Sequence, residues 1–213
     1  MSRSLVRFDA GFKDHVNQLC RTCYHIFRNI RSIRKFITTD MCNTLVKSLV
    51  LNQLDYCNSI LYGLPDSEIR KLQKVQNCAA KLVLNLKWSE SSSQALKTLN
   101  WLPIRKRIDF KIAVLVFKCV NNCAPRYLQE LLTPLSFNRM SRSTSADEGI
   151  LFQIPFCRRN TFYERSFAVS GPTVWNRLPS SVRCCTDLEV FRSELKTHYF
   201  RVLEYHSQST QAP

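Results

Sequence analysis

Residues Trp101–Cys123 read WLPIRKRIDFKIAVLVFKCVNNC, and this stretch decides the fold. Pro103 suits the opening of a helix, where its missing N–H costs nothing. From Ile108 to Val120 apolar residues fall almost all round the helical wheel, the pattern of a buried helix rather than a surface one. Arg105, Lys106 and Arg107 crowd its first turns and are expected to sit off the core. Asn121-Asn122 ends it.

Working upstream, Val16, Leu19, Cys23, Ile26, Ile30, Ile33 and Ile37 alternate steps of three and four, which draws one apolar stripe along a long helix. Arg21, Arg28 and Lys35 recur every seven residues on its opposite face, widened by Arg31 and Arg34. Residues 1–10 show no periodicity and are read as an irregular segment. A second helix is expected from Thr39-Asp40, with threonine as its cap, to Gly63. Cys42, Leu45, Val46, Leu49, Cys57, Ile60 and Leu61 mark its apolar side. A third, about Asp66 to Leu86, carries Ile69, Leu72, Val75, Gln76, Ala79, Val83 and Leu86 on one side, with Arg70, Lys74 and Lys81 opposite. Lys87 to Ser93 is a polar connector, followed by a short helix over Gln94–Leu99.

Downstream, Pro125 opens a short helix and 134–148 is a Ser/Arg-rich loop. Ile150, Phe152 and Ile154 alternate, the pattern of one short strand over 149–156. Ser170-Gly171-Pro172 starts a short helix carrying Val174 and Trp175. Thr186-Asp187-Leu188-Glu189 matches a capping box, with Thr186 at the N-cap. The last helix turns Leu188, Phe191, Leu195, Tyr199 and Val202 inward, and 205–213 is expected to be a disordered tail. The fold class is therefore mainly α, a multi-helix bundle-like domain with a short β element.

Among the 213 residues, 31 Lys and Arg face 16 Asp and Glu, a formal net charge of +15. Such a field favours polyanions, nucleic acid first. The opening MSRSLVRFDA has no apolar core of a secretory signal, and no apolar run approaches the length that spans a bilayer. The chain is accordingly expected inside the cell, nuclear or cytoplasmic, with its ten cysteines reduced.

Chemistry-bearing patterns are sparse. Cys20 and Cys23, with His15 and His25 nearby, could be offered as zinc ligands. Helical periodicity separates them, since Cys23 lies in the apolar stripe and His25 points away. Cys119 and Cys123 are one helical turn apart and line a core, and Cys184-Cys185 are adjacent. The four glycines are scattered, so no phosphate loop can be built. The aspartates stand singly, without the pairing that two-metal nucleotidyl transfer needs. Asp109 reads as an ion-pair partner for its basic neighbours. No catalytic residue, metal, cofactor or small-molecule substrate is expected.

Several blocks stand together in one order: Leu54–Pro65 (LDYCNSILYGLP), Leu72–Ala80 (LQKVQNCAA), Leu99–Ile104 (LNWLPI), Arg107–Ile112 (RIDFKI), Gly171–Pro179 (GPTVWNRLP) and Phe191–Phe200 (FRSELKTHYF). This set resembles the region after the reverse transcriptase core of jockey-like non-LTR (LINE-type) retrotransposon polyproteins, over nearly all of Phe12–Phe200. Asp9 and Phe12–Val16 resemble the stretch just past the palm.

In that family the catalytic aspartates lie upstream, in the palm. The resemblance implies a thumb-like helical domain over 11–133, then the 134–148 loop, then a small C-terminal segment over 149–204 packed on it, cut off from the enzyme. The implied role is RNA or DNA binding through phosphates, without sequence readout. Arg21, Arg28, Arg31, Arg34, Lys35, Arg70, Lys74, Lys81, Arg105, Lys106 and Arg107 are the candidate contacts. A helical protein-interaction module with incidental charge and a transposon remnant with no selected function are the rival readings.

Overall fold

The computed structural model describes residues 2–135, 149–156 and 161–209. Over these residues the protein is mainly helical. It divides into two compact units, Met1–Asn58 with Leu64–Arg107, and Ser59–Gly63 with Ile108–Pro213.

In the first unit, α1 spans Ser2–Ile33. It starts well before Phe12, so the segment read as irregular is helical in its backbone. Extending a nucleated helix fixes one residue per added hydrogen bond, and this needs no apolar pattern of its own. Val16, Cys23, Phe27 and Ile30 are its buried positions, close to the expected stripe, while Ile33 at its end is exposed.

A 3₁₀ turn (Arg34–Phe36) leads to α2 (Thr39–Val46). Its cap is Thr38 rather than Thr39: the Thr38 hydroxyl accepts from the Met41 N–H at 3.3 Å. The chain continues through a π turn (Lys47–Leu51) into α3 (Asn52–Asp55), where this helical run ends, before Gly63. The wider turn rotates the buried face. Burial passes from Cys42 and Val46 to Val50, Leu51 and Leu54, and Leu49, expected inside, is exposed. Gly63 (φ +71°) turns the chain after the 3₁₀ turn Asn58–Leu61.

Next come α4 (Asp66–Leu84) and α5 (Ser92–Thr98), then α6 (Ile104–Val120), whose first turn belongs to this unit and whose remainder belongs to the second. Asn85, Asn100 and Asn122 follow these three helices with φ of 53°, 55° and 54°. At each, the next residue's N–H reaches back to Lys81, Leu96 or Lys118 oxygen. In a chain with four glycines, asparagine takes the left-handed closing position, which its short polar side chain tolerates.

Gln76 sits on the apolar face of α4 and is fully buried. Its amide donates to Leu102 oxygen at 2.8 Å and its oxygen accepts from Gln73 at 3.0 Å. Gln73 in turn accepts from the Ile104 N–H at 2.9 Å. The pair thereby ties the Trp101-Leu102-Pro103 corner to α4 and serves an orphan donor at the start of α6.

The second unit holds most of α6, with Ile108, Ile112, Ala113, Val114, Val116, Phe117 and Cys119 buried as its all-round apolar pattern required. Its other helices are α7 (Arg126–Gln129), α8 (Thr161–Glu164), α9 (Phe167–Asn176), α10 (Ser180–Arg183) and α11 (Leu188–Ser209). Helix α9 begins before the Ser170-Gly171-Pro172 expected to start it, so Pro172 lies inside the helix and Gly171 is buried. A Cβ on Gly171 would stand 3.3 Å from side-chain atoms of Leu132 and Val116, so the glycine serves close packing. Helix α11 is capped by Asp187 and not by Thr186: the Asp187 carboxylate accepts from the Glu189 and Val190 N–H groups at 2.8 and 2.9 Å. Its backbone continues to Ser209, into the expected tail.

The expected strand over 149–156 is absent from the described residues. A single bridge pairs Pro134 with Phe152. The reason lies in where the backbone groups go. The Asn176 side chain brackets Phe152, accepting from its N–H at 3.1 Å and donating to its oxygen at 2.7 Å. Trp175 Nε1 donates to Ile150 oxygen at 2.8 Å. On the other edge the Leu135 N–H donates to Leu151 oxygen at 2.9 Å and the Gln153 N–H to Thr133 oxygen at 2.8 Å, so backbone pairing is confined to one bridge and α9 side chains serve the opposite edge. Most of the 134–148 loop lies outside the described residues.

Candidate nucleic-acid interface

Helices α1 and α4 lie side by side with their chains running the same way. Lys71 reaches Asn17 at 3.0 Å, and Arg34 reaches Leu82 and Val83. Both helices therefore end on the same side, and a groove of about 540 Å³ opens there. It is lined by Arg31, Arg34, Lys35 and Lys81 together with Cys78 and Trp88, and no carboxylate is among its lining residues. Two helix C-termini at one place oppose an anion, each by the equivalent of about half a charge. Four cations outweigh that, and the groove remains strongly positive.

Each cation has a local cause. Arg34 follows α1 directly and points into the end of α4. Its Nε donates to Leu82 oxygen at 3.1 Å, one terminal nitrogen to Ile37 oxygen at 3.0 Å and the other to Val83 oxygen at 2.9 Å. Leu82 and Val83 oxygens are carbonyls that the end of α4 leaves open, so Arg34 is a structural cap as well as a wall of the groove. Lys81 donates to Trp88 oxygen at 2.6 Å, and its ammonium lies 5.3 Å from the centre of the Trp88 ring. Arg31 and Lys35 are exposed on the groove's α1 side.

Cys78 lines the groove, and Cys20 and Cys23 lie on α1 outside that lining. Burial pushes the Cys23 thiol up to about 12, and Cys20 adds to the shift. Burial likewise drives Tyr24 up to about 12, with Cys78 reinforcing it. Cys78 is raised by burial, against a downward pull from Tyr24, Lys81 and Arg31. Unfolded, Cys23 ionises near 9.0 and folded near 12, so the unfolded state loses its proton first. Stability is fully present below pH 9 and falls as pH rises toward 12, by at most about 1.4 kcal/mol per pH unit for this group. Urea midpoints at neutral and alkaline pH are expected to show that loss, reduced in Cys23→Ala. An unchanged or rising midpoint would contradict it.

The remaining sequence candidates are placed differently. Arg21 and Arg28 are exposed on α1, and Lys74 on α4. Arg70 is exposed and donates to Asp66 oxygen at 3.2 Å. Arg105 pairs with Asp66. Arg107 makes a forked pair with Asp55, whose carboxylate also accepts from Asn58 at 3.3 Å. With its side chain only 19% exposed, Arg107 holds α6 to the end of α3 and is no part of a solvated basic cluster. The expectation that Arg105, Lys106 and Arg107 all sit off the core is corrected for Arg107, and Lys106 is half-buried. Asp109 was read as a partner for its basic neighbours. Its charge helps raise the Tyr62 and Tyr199 phenols, whose main cause is burial.

Sequence reasoning missed Trp88. It sits alone in a polar connector with no periodic partner, and its signal was the flanking pattern Lys87-Trp88-Ser89-Glu90. Among the described residues no group of three or more His, Cys, Asp or Glu is placed to hold a metal ion, and no helix is long and apolar enough to cross a membrane. No protein-family model, curated protein or solved structure matches the chain.

Proposed function

We propose that this chain is a nucleic-acid-binding fragment of a non-LTR retrotransposon polyprotein, drawn from the region that follows the reverse transcriptase core. It holds RNA or DNA through phosphates beside an active site supplied elsewhere, and catalyses nothing itself. The observation that carries the reading is the α1–α4 groove, where basic residues of two helices converge with an aromatic ring and without a carboxylate. The order of sequence blocks over Phe12–Phe200 supplies the family origin. The net charge of +15 supplies the long-range attraction.

Phosphate contacts position a polymer without reading its bases. Labelled RNA and DNA oligomers of unrelated sequence should therefore bind the purified chain with similar affinity at low salt, by fluorescence anisotropy. Absence of binding at low salt, or strong preference for one sequence, would sink the proposal.

A further inference from the structure

Trp88 sets this groove apart from a merely basic surface. It is 76% exposed, whereas Trp101 and Trp175 are 3% and 0% exposed. An exposed tryptophan gains little from the hydrophobic effect where it stands, yet this one is held in place. Lys81 ties its carbonyl to α4 at 2.6 Å, and the Lys81 ammonium covers one side of the ring. The turn that carries it is closed by Glu90, whose carboxylate accepts from the Lys87 N–H at 2.6 Å and whose own N–H donates to Lys87 oxygen at 3.2 Å. The ring is thus presented ready-made, with little ordering left to do on binding.

We infer that the groove takes a single-stranded segment of nucleic acid, with one base stacked on Trp88 and the adjoining phosphates held by Arg31 and Lys35. This rests on the phosphate-binding reading above and narrows it. Arg34 and Lys81 already donate to backbone carbonyls, which assigns the phosphates to the groove's two exposed cations, Arg31 near the end of α1 and Lys35 in the 3₁₀ turn after it. A groove of about 540 Å³ lies within the range of roughly 300–1,000 Å³ found for small-ligand sites, room enough for a nucleotide. A duplex keeps its bases in the stack, and withdrawing one costs unstacking energy. A single strand offers a base face at once. Every base has such a face, so stacking selects for strandedness and not for sequence.

The test compares a short oligothymidylate, an abasic oligomer of the same length and a duplex, each titrated into the full chain. Because the other two tryptophans are buried, quenching of emission reports Trp88. Oligothymidylate should quench it and the abasic oligomer should not. Trp88→Ala should bind oligothymidylate about tenfold or more weakly, with duplex and abasic affinities unchanged, and Trp88→Phe should fall between. If all three probes bind alike, without quenching and without an effect of Trp88→Ala, the single-strand inference fails while phosphate binding stands. If none binds at low salt, the parent reading itself fails.

Discussion

Replacing Trp175 by alanine is expected to destabilise the second compact unit by about 3–5 kcal/mol, the range for deleting a large aromatic from a packed core. Trp175 is fully buried on α9. Its ring stacks on Phe191 at 5.8 Å between centres and meets Phe152 edge-on at 6.4 Å, while Phe117 stacks on Phe191 at 4.3 Å. The indole also supplies the hydrogen bond to Ile150 oxygen. Alanine would leave a cavity and an unpaired carbonyl together. Trp175→Phe keeps most of the packing and loses the donor, so it should cost about 1–2 kcal/mol. Urea unfolding followed by amide exchange in α9 and α11 separates the two variants. Equal losses would show that the hydrogen bond, and not the packing, governs this core. A loss below about 1 kcal/mol in the alanine variant would contradict the packing account.

Arg34 gives the second large effect. Its guanidinium serves Ile37, Leu82 and Val83 carbonyls in one fork, and charge-assisted bonds of this kind are worth about 1.5–3 kcal/mol. Arg34→Met should therefore lower the stability of the first unit by about 2–3 kcal/mol, since it removes the guanidinium from the Ile37, Leu82 and Val83 carbonyls, of which Leu82 keeps the long 3.4 Å bond from the Asn85 N–H. Arg34→Lys should not restore it. A single ammonium on a flexible stem cannot meet acceptors spread across two elements. Wild-type urea midpoints in Arg34→Lys would show that charge alone suffices and that the fork geometry is irrelevant.

Helix faces set by steps of three and four were legible because burial enforces them: the α4 positions Ile69, Leu72, Val75, Gln76, Ala79 and Val83 are all inside. Caps were not, because neighbouring residues can each do the chemistry. Thr38 and Thr39 are both threonines, Thr186 and Asp187 both acceptors, and the fit of the whole helix chooses between them. The π turn at Lys47–Leu51 left no mark that a regular wheel could show. The alternation at Ile150, Phe152 and Ile154 misled because its backbone pairing stops at one bridge to Pro134, and its other edge is met by side chains 24 and 25 positions away.

The candidate site was half legible. Repeated basic residues marked the right helices. Yet Arg34 and Arg107 are drawn into structural bonds 48 and 52 residues away, and no local pattern reports such a distance. Trp88 stood outside every periodicity.

The salt dependence of single-stranded DNA binding tests the central claim most directly. Each phosphate neutralised releases condensed counterion, with a log–log slope of about −0.7 per contact on single strands. The wild-type chain should show a steep negative slope. Replacing Arg31 and Lys35 together by glutamine should flatten it by roughly 1.4, with helical content unchanged. A wild-type slope in that folded variant would contradict the assignment of phosphate binding to the α1–α4 groove.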